Sequence, residues 1–523
     1  MADIPSRGTR LIRNSVLNLA NSSITMVVTF VTSIVVARTL KPENYGIYNL
    51  VLWVTGIATW AIGMGLVHAV TKYVAEYRGR RDPVTVDAII SFILRVELIL
   101  SLGATAVLVF FRLPIADYFF SPRETFFFLI AFVGLVPGIL TAVFSGTIEG
   151  IQKFEYFTYF HLIVTPLAFL VKMLVLYLGY RIDGLLLVSL GFSFINTAFF
   201  CWILRREGLH FSLFKSPEPD VRRKIWKYNL SVGAISIADK VVWDKSENFF
   251  LGRFCTSAQI GYYNLAYNVA QRFMNVLPST FWRVLFPAMS EYFGSKDHEK
   301  IKRLFYLSSR YIAFFSFPVG VAGIVLAFPM IQFFYGREYL GAKYALQIMF
   351  FCSIFSSLSK PGSAILYGTE RQGFILKYGM VLAAVNIGLD LLVIRAYGAL
   401  GAACCYGVVT IAGAMGGLIY TCRTVGLQYP FRSVTKIIFS SLIMGITMEL
   451  IVRQKAELFG FIVAIPVGMI TYFVCSAVLG SFEEEDYILM NSVKVALPGR
   501  WKRGVDSLTG FLSQFKSGGG KNG

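Results

Sequence analysis

Five ionisable residues, Asp239, Lys240, Asp244, Lys245 and Glu247, fall within nine positions of a stretch that is otherwise apolar enough for a helix in lipid. At helical spacing Lys240, Asp244 and Glu247 stand at i, i+4 and i+7, on one face along which they can pair, with Asp239 and Lys245 flanking it. A lipid-facing helix does not carry five charges, so this one is expected to line water or protein. The next apolar stretch adds Arg272 and Arg283. Cations at such depth suit a multiply charged anion, which Arg grips with a fork of donors and Lys as a point charge. The neighbouring carboxylates, with Asp390 further along, would balance those cations or exchange H+ or Na+.

Other charges inside apolar stretches are Arg95, Lys172, Arg310 and Lys360 among the cations, and Glu97 and Glu449 among the carboxylates. Arg95 and Arg310 lie a turn or two into their helices, where a long side chain can snorkel to the surface. Lys172 and Glu449 are expected to do the same. Lys360 precedes Pro361-Gly362, where a helix is expected to break, either facing a cavity or simply ending. The candidate anion-binding set is thus Lys240, Arg272, Arg283, Lys245, Arg95 and Lys360. The set for coupling or charge balance is Asp239, Asp244, Glu247 and Asp390. The competing reading is a buried intramolecular ion pair, such as Asp239 with Arg272. His161 reads as a packing residue.

The elements that must position these groups are membrane helices. Of 523 residues, 56% are hydrophobic and only 15% charged, and mean hydropathy is +0.62. A soluble multidomain protein would carry about 25% charged residues. A bilayer core needs roughly 20 apolar residues per crossing. That window gives fourteen spans near 15–37, 46–67, 88–111, 125–145, 157–179, 183–203, 228–252, 261–286, 305–334, 342–361, 374–394, 397–420, 434–452 and 458–480. The first lacks a small-residue cleavage site and is expected to be retained. Net charge is +19, yet nucleic acid is not the expected partner. About 30 of the 49 Lys and Arg lie at the N-terminus, in loops after even-numbered spans and in the C-terminal tail, against about 11 in the loops after odd ones. That bias puts both termini in the cytoplasm and the basic loops beside anionic lipid.

The chain also resembles itself. At an offset of 215, eight of the 35 positions from 45 to 79 are identical. Gly46-Ile-Tyr48-Asn49-Leu50 meets Gly261-Tyr-Tyr263-Asn264-Leu265, and Glu76-Tyr77-Arg-Gly79 meets Glu291-Tyr292-Phe-Gly294. Arg38 meets Arg253, Arg95 meets Arg310, and after a short slip Gly208-Leu209 meets Gly426-Leu427. The positions matching the charged cluster are Ile24, Thr25, Thr29, Phe30 and Thr32, so the fold does not itself demand those charges. Each repeat holds six spans, an even number, so both must enter the membrane in the same sense. The expected organisation is an all-α polytopic membrane protein with two parallel six-helix bundles, 1–215 and 216–430, two peripheral helices over 431–480 and a cytoplasmic tail over 481–523.

These residues resemble a known family. Ala37-Arg38-Thr-Leu40-Lys-Pro42-Glu43-Asn-Tyr45-Gly46-Ile-Tyr48-Asn49-Leu50 is similar to the first-span signature of the polysaccharide-unit flippases of the multidrug/oligosaccharidyl-lipid/polysaccharide exporter superfamily. Leu251-Gly252-Arg253 with Ile260-Gly261-Tyr262-Tyr263-Asn264-Leu265-Ala266, Tyr397-Gly398-Ala-Leu-Gly401-Ala402-Ala403 and the acidic Glu483-Glu484-Glu485-Asp486 are similar too. The resemblance covers nearly all of 10–490. It implies movement of an isoprenoid-pyrophosphate-linked oligosaccharide from the cytoplasmic to the outer leaflet by alternating access. It also implies a place in the inner (cytoplasmic) membrane and association with a polysaccharide polymerase or glycosyltransferases. Tyr263 and Tyr267 would then be placed to stack on sugars.

No Gly-rich phosphate loop ending in Gly-Lys-Ser/Thr occurs, so no ATPase and no bound cofactor are expected, only possible H+ or Na+ coupling. The seven cysteines and four histidines are scattered and read as neither a metal site nor a redox motif. A membrane glycosyltransferase or polymerase would want an Asp-x-Asp pair or a large outer loop, and neither is present. A multidrug exporter of the same superfamily is the nearer alternative, and a peptidoglycan-precursor flippase differs from the main reading only in cargo. Spans seven and eight supply cations and span one no carboxylate, which favours an anionic cargo.

Overall fold

The computed structural model describes residues 4–486 except 64, 120–124, 244, 370–371, 455–456 and 484; within helices the side chains of 4–24, 231, 234–243, 276–277, 280, 283–284, 287, 372 and 457–459 are outside the description. Among the described residues the secondary structure is helical, without strands. Ten segments are long and apolar enough to cross a membrane. Two of them exceed one crossing and bend once. α1 (Ile4–Gly63) turns at Lys41, φ 61°, immediately before Pro42. Proline removes a helical donor and pushes the residue before it out of helical geometry, which separates the first two expected spans. The other long segment, Gly373–Val425, bends at Gly398, φ 55°. The chain is an all-α multi-pass membrane protein.

The chain divides into two compact units. One comprises residues up to Asn264 with Asp390–Gly398, the other Leu265–Leu389 with the residues from Ala399 onward. In the first unit α1 is followed by α2 (Leu66–Gly79), α3 (Pro83–Phe110), α4 (Arg112–Phe119), α5 (Thr125–Val133), α6 (Leu135–Gly150), α7 (Glu155–Tyr177) and α8 (Ile182–Arg206). Then come α9 (Pro219–Trp243) and α10 (Glu247–Phe254). On α2 the buried residues are Leu66, Ala69, Val70, Tyr73, Val74 and Tyr77. Their three- and four-residue spacing is one helical stripe, and it packs into a core with Ile89, Ile90 and Ile93 of α3 and Val143, Phe144 and Ile148 of α6.

α11 (Ser257–Gly294) begins in the first unit and continues into the second. The second unit also holds α12 (His298–Met330), α13 (Lys343–Leu358), α14 (Lys360–Gly368) and α15 (Gln372–Leu389). A π-helical turn, Asp390–Ile394, leads into α16 (Arg395–Val425), followed by α17 (Phe431–Gln454) and α18 (Glu457–Val478). The last two helices pack on α12 through Leu326, Met444, Met448 and Tyr472, whose hydroxyl donates to the Phe314 carbonyl at 2.7 Å.

One turn is built twice, 215 residues apart. α2 and α11 both end at glycine, Gly79 and Gly294, and the second residue onward is left-handed, Arg81 at φ 59° and Lys296 at φ 56°. Asp82 and Asp297 then cap the next helix, their carboxylates accepting from Thr85 N at 3.0 Å and Lys300 N at 3.1 Å. The compact units nevertheless part at Asn264–Leu265, not at the repeat boundary 215/216, because α10 packs on α1 and on the Asp390–Ile394 turn.

Candidate functional site

The seventh expected span is interrupted. α9 ends at Trp243, Lys245 is left-handed at φ 56°, and α10 starts at Glu247. The face expected through Lys240, Asp244 and Glu247 is therefore not continuous: one left-handed residue redirects the chain, and helical register cannot be counted across it. The break contains neither Gly nor Pro. Its one sequence signal is Ser246 followed by Glu247, a helix-start residue with an acid in the first turn.

Beyond the break lies a buried polar knot. The Lys245 ammonium donates to Asn264 Oδ1 at 3.2 Å, and Tyr263 Oη donates to Glu247 Oε2 at 2.8 Å. Asn264 Nδ2 donates to Asn248 Oδ1 at 2.8 Å and to the Ile260 carbonyl at 3.0 Å. Glu247, Asn248, Tyr263 and Asn264 are each at most 1% exposed. Glu247 is thus a structural acceptor in this conformation, and Tyr263, expected as a sugar platform, is sealed behind it. Asn49, the repeat counterpart of Asn264, makes the same bond to the carbonyl four residues back, Tyr45 O at 2.7 Å.

The knot sits beside a close helix crossing. A Cβ on Gly46 would fall 1.8 Å from the Ser257 carbonyl oxygen, and one on Gly261 2.3 Å from the Pro42 carbonyl oxygen. Only glycine lets the two backbones approach this far. The contact is reciprocal in the repeat, since Pro42 corresponds to Ser257 and Gly46 to Gly261.

The second unit holds the cations that remain open. Arg272 is half-buried on α11, its Nη1 is shielded from solvent, and it has neither a hydrogen bond nor an ion pair with any described residue. The Asp239 side chain, the partner in the alternative reading, is outside the description. One residue before it, Gln271 Nε2 donates to Tyr406 Oη at 2.7 Å, and Tyr267 meets the Tyr406 ring edge-on at 5.4 Å. Lys360 opens α14 after a one-residue interruption at Ser359, as Pro361 led us to expect, and is half-buried with no partner among the described residues. Ser357, just before that break, reaches the α11 backbone through Met274 O at 3.4 Å.

The remaining candidates fall elsewhere. Arg95 reaches out of its helix and donates to the Leu213 carbonyl at 3.4 Å, which fits snorkelling toward the segment after α8. That segment is also held by Asp87, which accepts from His210 N at 3.0 Å, and by Ser91, which accepts from Ser212 N at 3.0 Å. Asp390 is fully buried at the start of the π-helical turn. Asp239, Lys240 and Arg283 lie on described helices, their side chains outside the description, and Asp244 is outside the described residues altogether.

Arg310 corrects one expectation. It does not snorkel; it is 2% exposed, with Nη1 2.9 Å from Glu483 Oε2 and Nη2 on Asp486. Ser433 and Tyr306 donate to Glu483 Oε1 at 2.6 and 3.0 Å. Burial works to raise the Glu483 carboxyl, but the Ser433 hydroxyl and the Arg310 charge prevail and hold it below the usual range. The acidic segment after α18 is therefore an anchor fastened to α12. Sequence reasoning had both halves of this pair in hand without joining them, because 173 residues separate Arg310 from Glu483.

A family model described as a polysaccharide biosynthesis protein matches residues 35–344, more than half of the chain. The chain belongs to that family. The chain is similar to a putative O-antigen transporter of Shigella flexneri, 23% identical over 421 residues, covering 77% of this chain and 96% of that protein. It is also similar to the stage V sporulation protein B of Bacillus subtilis (strain 168), 28% identical over 143 residues, 27% of this chain and 28% of that one. The matches to the first curated relatives span less than half of those proteins' length. A solved structure of the lipid II flippase MurJ in an inward closed conformation has the same fold, with a TM-score of 0.73 at 16% identity over 88% of this chain and 98% of that one. At that identity the likeness speaks of architecture, and the site must be argued from its own residues.

Proposed function

We propose that this family member moves an isoprenoid-pyrophosphate-linked oligosaccharide from the cytoplasmic to the outer leaflet by alternating access, as a step in surface polysaccharide export. The observation that carries the reading is Arg272: a guanidinium at membrane depth with a shielded, unsatisfied donor lacks its acceptor. Lys360 adds a second unpaired charge in the same unit. A pyrophosphate supplies several acceptor oxygens and at least two negative charges, which suits a fork and a point charge together. Three carboxylates a cationic drug would seek are closed among the described residues: Glu247 is hydrogen-bonded in the knot, and Asp390 and Glu97 are fully buried. Lys240, Arg283 and Lys245 extend the proposed anion path, and Asp239, Asp244 and Asp390 are the proposed charge-balancing or H+/Na+ coupling groups.

The relatives named for O-antigen and polysaccharide support the glycan class. In this reading the sequence halves 1–215 and 216–430 are the moving bodies, the helices within 431–480 ride on the second, and 481–523 is a cytoplasmic tail. The protein would sit in the cytoplasmic membrane with both termini inside, next to the enzymes that build and polymerise the glycan. The test is a leaflet assay in proteoliposomes with a fluorescent polyprenyl-pyrophosphate glycan. Wild type moves the probe, and Arg272→Ala inserts normally but moves it at least about tenfold more slowly, as losing one charge-assisted contact of about 1.5–3 kcal/mol requires. Equal rates in the two proteins, or wild-type efflux of ethidium in place of glycan movement, sink the reading.

A further inference from the structure

Glu97 has no role in the site described above, and its setting is chemically demanding. It is the fifteenth of 28 residues in α3, half-way along a helix long enough to cross a bilayer. Its side chain is 0% exposed, and neither carboxylate oxygen has a hydrogen-bond partner among the described residues. Its repeat counterpart is Ile312, also buried, so this place in the fold is satisfied by a hydrocarbon and does not require an acid.

Among the described residues no charge neutralises it; the side chains of Arg7, Arg10 and Arg13 on α1 are outside the description. α3 packs against α1, α2, α4, α5 and α6. On those elements Arg38, Lys41, Glu43, His68, Lys72, Arg78, Asp117 and Glu149 are exposed. Glu76 pairs with Arg80 at 2.6 Å, and Arg112 donates to the Val109 carbonyl at 2.8 Å. α5 carries no ionisable residue. Tyr45, Tyr48, Tyr73 and Tyr77 are the phenols of α1 and α2, and none bonds to Glu97. On α3 itself, Asp87 accepts from His210 N and Arg95 donates to Leu213 O.

A carboxylate removed from water with no counter-charge and no donor is not stable as an anion; it takes up a cation. A sodium ion would want several oxygens around it, whereas a proton needs only the carboxyl itself. We propose that Glu97 is a proton-binding site inside the N-terminal unit, occupied in the conformation described and able to release its proton only when a rearrangement wets α3. The site is independent of the Arg272 region. Within the flippase reading it would be a place where proton movement can be tied to the cycle, but its existence does not depend on that reading.

Dicyclohexylcarbodiimide tests this directly, because it enters membranes and modifies protonated carboxyl groups. Full-length protein in native membranes is treated across pH 6–10 and mapped by mass spectrometry. The expected result is an adduct on Glu97 at neutral pH whose yield falls about tenfold per pH unit once the carboxyl titrates. Glu97→Gln, a neutral isostere, should fold and melt like the wild type at pH 7 and lose the pH-dependent part of the melting curve. Absence of the adduct, a yield indifferent to pH, or protection by Na+ at fixed pH overturns the proposal, the last in favour of a sodium site. No cargo enters the experiment, so its failure counts against Glu97 alone and leaves the glycan reading where it stands.

Discussion

Arg272 and Arg310 show how little residue type says before partners are known. Both are arginines inside apolar stretches; one has two carboxylates and the other has none among the described residues. Arg272→Lys is expected to fall between the wild type and the slower Arg272→Ala, because lysine keeps the charge and loses the fork; initial rates in the leaflet assay decide. Arg310→Met should instead spare insertion and destabilise the fold by about 3 kcal/mol, the low end for breaking a buried pair, read from thermal unfolding. The Glu483 carboxyl is held below its usual range, so its contribution is full above the ordinary glutamate value and is lost as pH falls through the lowered one. Protease cutting after α18 should therefore rise on acidification below about pH 4.5 and stay flat between pH 6 and 8. The sequence made Arg272 legible as a deep cation, but its lack of a partner is a fact of three dimensions. Tyr263 illustrates the reverse: its spacing on α11 suits a sugar platform, and burial against Glu247 removes it from that role.

At the scale of elements, what was legible was whatever proline or the repeat announces. Lys41-Pro42 marks the turn within α1, Pro361 marks the start of α14, and the matched Gly79 and Gly294 mark two identical turns. The break at 244–246 escaped because no residue there forbids a helix; packing of α10 on α1 and the hydrogen bonds of the knot impose it. Mid-helix Gly→Ala normally stabilises by up to about 1 kcal/mol. At Gly46 and Gly261 the sign should invert, since each new methyl meets a carbonyl oxygen of the other helix. Lower melting temperatures for Gly46→Ala and Gly261→Ala than for Gly56→Ala, whose Cβ meets nothing within 4 Å, would bear this out.

For the whole molecule, the sequence determined class better than it determined chemistry. Apolar windows need only counting, and they led to the all-α membrane class. The internal cations needed partners to be interpreted, and those at Lys240 and Arg283 still rest on helix position alone. Topology offers its own check: if that end lies inside, as proposed from the bias of the basic loops, a fluorescent protein fused after Gly523 should glow and a phosphatase fused there should be silent. The opposite pattern would invert the direction of transport assigned above.

The crossing of Gly46 with Gly261 also bears on where such a chain comes from. When residue i of one half touches j of the other, and the equivalent of i touches the equivalent of j, the surface is self-complementary. An unduplicated ancestor holding this patch would already have made a paired assembly from two copies of one gene product, and any change at the glycine would have struck both sides at once. In a single chain the two sides of such a patch can differ: one half carries the charges of Asp239 to Glu247, and the matching positions of the other are isoleucine, threonine and phenylalanine.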